Sequence, residues 1–452
     1  MVSSFQGDGS SSYGTGFGPS KHQGNLKGII NALDYIRGMN FNAIWLTPIF
    51  NSAGGWGGSR LQSTGYFATD YFNVDPKFGT NEDLRNLVKG CHDRGMYIFL
   101  DGVFGHHGGH VRKSPNGNLP EGGRDPVSYP GSLEFYKEVA TYWIREYEID
   151  GWRLDQCYQL FQNGHNYWHE IREAVQETCN RRKSEGKQWG TLGYMVGEHW
   201  GGPDDIQYRT YGQDGLKSAF DFPSRYDIVK VIAQDEGGAG GYGVENLANV
   251  FRTPNEKGYQ PDVYPNLFIT NHDVWRLGNL IKKKYGYKGN NPNYWKRHKI
   301  AFACLATYTG PITFYYGDEI GDLHDHWYFW NFFISNDNLA RTDGHIEGFN
   351  KNQQDLHNYV AKLLKLRRQY PAMWRGTNSI AMKDGALVNV KWDQQTFTKI
   401  VFVVNTGTLP TNLYVNCGGT YFRDLMTGRE MHGNQGFDLY CDALTCYIFE
   451  SI

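Results

Sequence analysis

The feature that most constrains the fold of this chain is a repeated alternation of short apolar segments with segments of helical spacing. Apolar residues recur at helical spacing from Leu26 to Ile36, for example, and the apolar run Ala43–Pro48 follows. Strands that alternate with helices form parallel sheets, and eight such repeats predict a (β/α)₈ TIM barrel, an α/β fold. The predicted strands are Val2–Phe5, Ala43–Pro48, Tyr97–Leu100, Gly151–Asp155, Tyr194–Gly197, Ser218–Phe220, Leu267–Thr270 and Ile312–Tyr315.

Beyond about Arg375 the pattern changes to short β-rich segments separated by turn residues, without helical spacing. This pattern predicts a small antiparallel β-sandwich packed against the barrel. The sequence therefore predicts four consecutive parts. Residues 1–105 and 132–374 form the barrel, residues 106–131 form a short insert after the third strand, and residues 375–452 form the C-terminal β-sandwich domain.

Charged residues gather where the predicted strands end. Asp101 and Asp155 end two of them, Glu198 directly follows a third, and Asp273 closes the segment after a fourth. The C-terminal strand ends of a (β/α)₈ barrel form its active-site face. Because polar core residues would instead be scattered along the strands, this placement predicts a catalytic site.

The stretch Ile149–Asp155 combines a buried-strand pattern with charge. Arg153 and Asp155 are two residues apart, so their side chains point to the same side of a strand. The neighbouring guanidinium is expected to lower the pKa of Asp155 and to keep it ionised, as a covalent nucleophile requires. A buried structural salt bridge is the alternative explanation of this pair.

The composition limits the partners of the chain. The 45 Lys and Arg residues nearly balance the 47 Asp and Glu residues, which argues against nucleic acid or an anionic membrane. The 13 Trp and 31 Tyr residues suit stacking on sugar rings, although core packing also explains them.

No apolar run is long enough to span a membrane, and the N-terminus lacks the pattern of a signal peptide. The expected location is therefore cytoplasmic, or extracytoplasmic after removal of a leader. Cys417, Cys441 and Cys446 cluster near the C-terminus, where the spacing allows one disulfide. The oligomeric state is not predicted.

Four segments in order resemble the motif regions of the α-amylase family of glycoside hydrolases. They are Asp101-Gly-Val-Phe-Gly-His106, Gly151-Trp-Arg-Leu-Asp155, Gly197-Glu198 and Asn271-His-Asp273. Each single motif is weak, but the four together, each at a predicted strand end, are specific. The resemblance covers the whole barrel and implies a retaining glycoside hydrolase that acts on α-glucosidic bonds.

The resemblance also implies a role for each site residue. Asp155 would attack the anomeric carbon, Glu198 would act as the acid and then the base with a pKa raised by burial, and Asp273 would stabilise the transition state. Arg153 would orient Asp155 and keep it ionised, and Asp101 would anchor Arg153 or the loop rather than bind substrate. The residues implied to bind the sugar are Tyr66 by stacking, and His106 and His272 by donating hydrogen bonds.

Two departures from the family pattern affect the expected cofactor and substrate. Many members have an Asn that binds a structural Ca²⁺ directly before the first histidine, but this chain has Gly105 there. No cofactor is therefore expected to be required and no metal ligand is assigned, although Asp70 and Asp75 leave a different Ca²⁺ site open. Gln156-Cys-Tyr-Gln159 also lacks the Lys-His pair of many α-amylases, which weakens the case for a strict endo-acting starch amylase.

The expected substrates are maltooligosaccharides or starch, cleaved foremost at α-1,4 bonds. A transglycosylase or a sucrose- or α-1,6-active relative would share the same three carboxylates, so both remain alternatives. A non-catalytic carbohydrate-binding protein is an alternative of another class, which the intact trio Asp155, Glu198 and Asp273 argues against. Trp200, Trp275 and the stretch Trp327–Trp330 are candidates for outer sugar subsites, with structural packing as the equal alternative.

Overall fold

The computed structural model describes residues 1–324 and 336–451. These residues divide into two compact units, which are treated separately. The first comprises Met1–Phe220, Gly258–Tyr264 and residues 336–346, and the second comprises Asp221–Lys257, residues 265–324 and residues 347–451. The predicted subsite stretch Trp327–Trp330 lies outside the described residues.

The first unit combines a parallel sheet with surrounding helices. Its strands are β1 (Ala43–Trp45), β2 (Phe50–Asn51), β3 (Asp70–Val74), β4 (Tyr97–Gly102), β5 (Gly151–Leu154), β6 (Phe161–Gln162), β7 (His165–Asn166), β8 (Tyr194–Gly197) and β9 (Ser218–Ala219). Its α-helices are α1 (Leu26–Gly38), α2 (Gly58–Gln62), α3 (Asn81–Asp93), α4 (Leu133–Tyr147), α5 (Trp168–Ser184) and α6 (Pro203–Ile206). A π-helical turn (Gln207–Tyr211) and the 3₁₀ helices Val2–Ser4, Cys157–Leu160 and Asn336–Ala340 complete it.

The parallel sheet of the first unit has the strand order β1, β4, β5, β8, β9. Its register keeps the strand ends level, because Gly102 pairs with Leu154 and Leu154 pairs with Gly197. Asp155 and Glu198 are the next residues of their strands, and their backbone amides continue the ladder at 2.9 and 2.8 Å. The sheet therefore delivers these two carboxylates to one edge.

Local sequence signals explain several element boundaries. Thr80 and Asp83 form the predicted capping box at the start of α3, so that prediction is confirmed. Ser132 precedes α4 as predicted, but its hydroxyl does not cap the helix. It accepts a hydrogen bond from the backbone of Glu121 at 2.9 Å and so ties the segment 106–131 to the helix.

The first predicted strand, Val2–Phe5, is wrong. Val2–Ser4 form a 3₁₀ helix, in which the amides of Ser4 and Phe5 bond to carbonyls three residues back. The segment is buried next to β1, where the amide of Val2 donates to Thr47 Oγ1 at 3.2 Å. Local turn bonds satisfy this short segment, so it does not need a sheet neighbour.

The second unit contains the remaining parallel strands and the C-terminal domain. Its α-helices are α7 (Phe222–Ile232), α8 (Leu247–Val250), α9 (Leu277–Tyr285), α10 (Pro292–Ala306), α11 (Lys351–Gln369) and α12 (Ala372–Arg375), with 3₁₀ turns at Val244–Asn246, Asn255–Lys257 and Asp318–Ile320. Its strands are β10 (Leu267–Phe268), β11 (Ile312–Thr313), β12 (Thr377–Lys383), β13 (Ala386–Asp393), β14 (Thr398–Asn405), β15 (Thr411–Asn416), β16 (Tyr421–Asp424), β17 (Glu430–His432), β18 (Gly436–Cys441) and β19 (Thr445–Ser451). The strands β10 and β11 pair in parallel.

The C-terminal strands confirm the predicted antiparallel architecture. One sheet has the order β12, β13, β14, β19, β16, β17, and β15 pairs with β18 in a second sheet. Alternate residues of both sheets share one apolar core, which includes Val401, Leu413 and Phe437. Cys417, Cys441 and Cys446 are all free thiols, so the disulfide that their spacing allows is not formed.

The described strands and helices bear out the predicted α/β class. They do not trace the closure of all eight predicted strands into one barrel, and the three predicted boundaries between the four parts stay predictions. Between Gly102 and Leu133 the described chain has no strand or helix, only an isolated bridge between Gly122 and Val127. No helix among the described residues combines the length and apolar character needed to cross a membrane.

Candidate active site

Arg153 lies at the centre of the polar cluster at the strand ends. Its side chain is fully buried. The Nη1 atom donates to Asp101 Oδ1 and to Asp155 Oδ1, each at 2.9 Å, and Nη2 lies 3.5 Å from Glu198 Oε2. One planar guanidinium thus contacts three carboxylates that come from three neighbouring strands.

Aromatic side chains enclose this ion cluster. The guanidinium carbon of Arg153 is 5.0 Å from the ring centroid of Trp45 and 5.8 Å from that of Tyr66. Both aromatic side chains also donate to Asp101 Oδ2, the Tyr66 hydroxyl at 2.8 Å and the Trp45 indole nitrogen at 3.2 Å. Asp101 therefore acts as a buried anchor for three side chains.

Burial and the neighbouring charges shift the pKa values of Asp101 and Arg153. Burial raises the pKa of Asp101 to about 7, although the positive charge of Arg153 opposes that shift. Burial alone would lower the pKa of Arg153, but the neighbouring carboxylates, foremost Asp101, raise it well above its ordinary value. The guanidinium therefore keeps its charge in the interior and can hold anions there.

Asp155 presents one bound and one free carboxylate oxygen. Oδ1 is held by Arg153, whereas Oδ2 is buried and has no hydrogen-bond partner among the described residues. Nε2 of His106 lies 3.7 Å from this Oδ2 atom. A buried oxygen without a hydrogen bond is costly, so such atoms are rare and often mark functional sites.

Glu198 is held by a backbone donor. Its Oε2 atom accepts a hydrogen bond from the amide of Gln156 at 2.8 Å. Gln156 has a φ angle of 39°, a left-handed conformation that is uncommon for a residue other than glycine. This turn directly follows Asp155, so the same segment that carries one carboxylate also positions the other.

His106 lies on the loop that follows β4 and is 1% exposed. Its ring centroid is 5.3 Å from that of Phe67, and its Nδ1 atom is 3.1 Å from Gln159 Oε1. The ring is therefore fixed on one side by packing and on the other by a hydrogen bond.

The first unit brings together most of the residues predicted for the site. They are Tyr66, Asp101, His106, Arg153, Asp155 and Glu198. His272 and Asp273 belong to the second unit, where Nε2 of His272 lies 3.1 Å from Asp273 Oδ2. There Asn271 Oδ1 accepts from the amides of Asp273 and Val274, at 2.8 and 3.0 Å, and fixes the loop after β10.

Sequence reasoning missed three contacts of this site. From the sequence, Trp45 is identified only as part of a predicted strand. Gln156 and Gln159 are considered only because their segment has no Lys-His pair. Their position in the sequence could have indicated a role, because Gln156 directly follows Asp155 at the strand end and Gln159 lies in the same loop segment. Of the aromatic subsite candidates, Trp200 is 47% exposed, whereas Trp275 is buried, which favours packing for Trp275.

The calcium site of many family members does not fit the residues present here. A Cβ atom at Gly105 would lie 2.0 Å from Gln159 Oε1, so the Asn found at this position in the family would displace Gln159. Protein donors already bind the carboxylates of Asp70 and Asp75. Asp75 Oδ2, for example, accepts from the hydroxyl of Tyr13 at 2.7 Å and the amide of Ser52 at 3.0 Å.

Elsewhere in the described residues, His169, Glu173 and Asp214 could approach a metal ion together. Asp214, however, is already paired with Arg172 and Lys217, each at 2.7 Å. These two cations oppose the binding of a third, so this group does not support a metal site.

Comparison with known proteins agrees with the motifs. The model of the alpha-amylase catalytic domain matches residues 3–116 and 132–352. The unmatched residues 117–131 fall inside the predicted insert. A cyclomaltodextrinase of Geobacillus thermopakistaniensis (strain MAS1) is 27% identical over 446 residues, which cover 90% of this chain and 66% of that protein.

A maltogenic alpha-amylase of Bacillus acidopullulyticus is 26% identical over 394 residues, which cover 77% of this chain and 56% of that protein. The chain thus spans 66% and 56% of the length of these two curated relatives. Among solved structures, a glutamate-to-glutamine variant of AmyP in complex with maltotriose has a TM-score of 0.93 and 38% identity. That alignment covers 100% of this chain and 95% of AmyP.

Proposed function

The chain belongs to the α-amylase family, and we propose that it is a retaining glycoside hydrolase that cleaves α-glucosidic bonds, foremost α-1,4 bonds, in maltooligosaccharides or starch. The reaction proceeds through a covalent glycosyl-enzyme on Asp155. The family supports the class of reaction, and the arrangement of Asp155, Arg153 and Glu198 supports the assignment of roles.

The observation that carries this proposal is the asymmetry of the Asp155 carboxylate. Arg153 holds Oδ1 at 2.9 Å, while Oδ2 is buried without a hydrogen-bond partner among the described residues. An oxygen without a hydrogen bond keeps all of its lone pairs available for attack on carbon. An oriented carboxylate with one free oxygen therefore suits a nucleophile better than a structural salt bridge, which would use both oxygens.

Glu198 acts as the general acid and then as the general base. It first protonates the glycosidic oxygen as the bond to the leaving sugar breaks, and it then removes a proton from the water that attacks the intermediate. Its Oε2 atom is fixed by the Gln156 amide at 2.8 Å. Arg153 contacts both carboxylates, which keeps them at a fixed separation during the two half-reactions.

The remaining residues bind the sugar. Asp273 stabilises the distorted, oxocarbenium-like transition state, and His272 and His106 hydrogen-bond to the sugar at the cleaved bond. Tyr66 stacks against the same ring, with its hydroxyl anchored on Asp101 at 2.8 Å. This assignment of Asp273 and His272 rests on the segment Asn271-His-Asp273 and its resemblance to the family motif.

The substrate assignment is supported by the names of the relatives. A cyclomaltodextrinase and a maltogenic alpha-amylase align with the chain, and AmyP binds maltotriose. These names point to short or cyclic α-glucans, so we include cyclodextrins among the substrates to be tested. The alternatives, transfer to a sugar acceptor and cleavage of sucrose or α-1,6 bonds, are outcomes of the same experiment.

The test is product analysis on maltoheptaose, a cyclodextrin, isomaltose and sucrose, with the anomeric form of the first product followed by NMR. Retention predicts that α-anomers appear first, because two displacements at the anomeric carbon restore its configuration. First products of β-configuration would contradict a covalent intermediate on Asp155. Absence of reducing-sugar release from every substrate would instead favour a non-catalytic carbohydrate-binding protein.

A further inference from the structure

Asp125, Gln159 and His106 form a hydrogen-bonded row that ends on His106. Asp125 lies in the segment 106–131, and Gln159 lies in the 3₁₀ helix after β5. The Gln159 Nε2 atom donates to Asp125 Oδ1 at 3.0 Å, and Gln159 Oε1 lies 3.1 Å from His106 Nδ1. On the other side of the ring, Nε2 lies 3.7 Å from Asp155 Oδ2.

This row determines which nitrogen of His106 carries a proton. A carboxylate only accepts hydrogen bonds, so the amide group of Gln159 must turn its nitrogen toward Asp125. The amide oxygen then faces His106 and can only accept, which places the proton on Nδ1. In the neutral ring, Nε2 is therefore an acceptor directed toward the nucleophile.

Gly105 makes room for this arrangement. A Cβ atom at this position would lie 2.0 Å from Gln159 Oε1 and 2.7 Å from Gln159 Cβ. Any larger residue would push Gln159 away from His106. Gly105 thus departs from the family pattern in two ways. It has no side-chain oxygen for calcium, and it leaves room for Gln159.

We propose that Gln159, held by Asp125 and admitted by Gly105, is the positioning residue that sets the orientation and the tautomer of His106. The inference rests on the proposed function, and for the neutral ring it makes Nε2 an acceptor for a sugar hydroxyl rather than a donor. A neutral His106 accepts a hydrogen bond from a sugar hydroxyl at Nε2. Asp125 and His106 occupy the two ends of the Gln159 amide, so we expect Gln159 to act through His106.

The kinetic test measures turnover of maltoheptaose by variants of Gln159, and by a double variant in which the amide and the carboxylate exchange places. Gln159→Leu removes both hydrogen bonds and is expected to lower kcat/KM about 10- to 100-fold, the range found for the hydrogen-bond partners that orient metal-binding histidines. Gln159→Glu places two carboxylates opposite each other and is expected to lose as much. Adding Asp125→Asn to Gln159→Glu restores a donor and an acceptor, and it should recover most of the lost activity.

A double-mutant cycle and a matched control separate positioning from folding. In a His106→Ala background, Gln159→Leu should cause no further loss, because its effect passes through the imidazole. Gln162→Leu is the control, since Gln162 also binds the segment 106–131, through the Val127 carbonyl at 2.8 Å, without contacting His106. It should leave kcat unchanged. Equal losses from both leucine variants, or no rescue by Asp125→Asn, would overturn the inference.

A second readout does not require activity. In protein labelled with ¹⁵N-histidine, the ring shifts of His106, assigned by comparison with His106→Ala, should report a proton on Nδ1 in the wild type. Gln159→Leu should shift the ring toward the other tautomer. A wild-type ring protonated only on Nε2 would refute the inference even in an active enzyme, whereas an inactive protein with the Nδ1 tautomer would refute only the proposed function.

Discussion

Arg153 in the first unit and Lys391 in the second are both fully buried cations, but they have opposite surroundings. Arg153 contacts the carboxylates of Asp101, Asp155 and Glu198. Lys391 donates only to neutral oxygens among the described residues, Thr309 Oγ1 at 2.6 Å and Asn378 Oδ1 at 2.8 Å. The carboxylates around Arg153 neutralise its positive charge, whereas the neutral oxygens around Lys391 only accept its hydrogen bonds.

The difference appears in the two pKa values. The carboxylates around Arg153 raise its pKa well above the ordinary value despite burial. Burial lowers the pKa of Lys391 well below its ordinary value, and the nearby positive charge of Arg367 adds to that effect. We infer that the carboxylates around Arg153 stabilise its charge, whereas the surroundings of Lys391 destabilise a charge at that position.

The largest effect is expected from Asp155→Asn, which removes the proposed nucleophile from the Arg153 cluster. Turnover of maltoheptaose should fall about 10⁴-fold, the order found when a central catalytic group is lost. Circular dichroism should show an unchanged fold, because an amide fills the same volume. Asp214→Asn makes the same chemical change at an exposed position and should retain full activity. Substantial turnover by Asp155→Asn would disprove the assignment.

Arg153→Met tests how much the same cluster contributes to the stability of the fold. Loss of the cation leaves three buried carboxylates without their shared partner, which should lower the free energy of unfolding by about 3–5 kcal/mol. Denaturant titration measures this loss. Arg209→Met is the matched control, because its ion pair with Asp205 is partly exposed and such pairs contribute about 1 kcal/mol or less. Similar losses in the two variants would show that burial does not distinguish them.

Lys391→Met should change the free energy of unfolding in the opposite direction to Arg153→Met. It removes a poorly solvated cation and should raise the free energy of unfolding at pH 7 by about 1–2 kcal/mol. The former partners keep other hydrogen bonds, since Thr309 Oγ1 donates to the Gly376 carbonyl and Asn378 Oδ1 accepts from Asn389. Lys383→Met, at an exposed position on β12, should change stability little. A less stable Lys391→Met protein would mean that the hydrogen bonds outweigh the burial of charge.

The stability difference between the wild type and Lys391→Met should depend on pH in a defined direction. The folded-state pKa of Lys391 lies below the ordinary value of 10.5, so the unfolded chain binds the proton more tightly. The destabilisation by Lys391 is therefore full below the folded-state pKa and disappears as the pH rises to 10.5. The gap in Tm between the wild type and Lys391→Met should therefore be smaller at pH 10 than at pH 7. A constant gap would contradict the lowered pKa.

Metal removal should have the smallest effect. Gly105 offers no side-chain ligand, Gln159 fills the space beside it, and protein donors bind Asp75. Chelation by EDTA should therefore leave activity and Tm unchanged within error. A clear drop in either, restored by added Ca²⁺, would show that calcium binds to other groups of the chain.

The sequence predicted the parallel strands after the first, the antiparallel C-terminal domain and the capping box of α3, because these depend on local periodicity and on short-range side-chain patterns. It failed at Val2–Ser4 and at Ser132. In both segments the backbone and hydroxyl groups find partners that propensity does not reveal, such as Thr47 and Glu121. Short segments have weak local preferences, so contacts from elsewhere in the chain decide their conformation.

The sequence by itself determined the family, the order of the motifs and the residue types at the strand ends, because those patterns are written in consecutive positions. Only the tertiary structure decided that Arg153 Nη1 donates to both Asp101 and Asp155, that Nη2 forms an ion pair with Glu198, and that Asp155 Oδ2 has no hydrogen-bond donor among the described residues. It likewise brought Gln159 against Gly105 and His106. Most of these contacts join residues that are far apart in the chain, so their geometry is fixed only when folding brings the strand ends and the loops after them together.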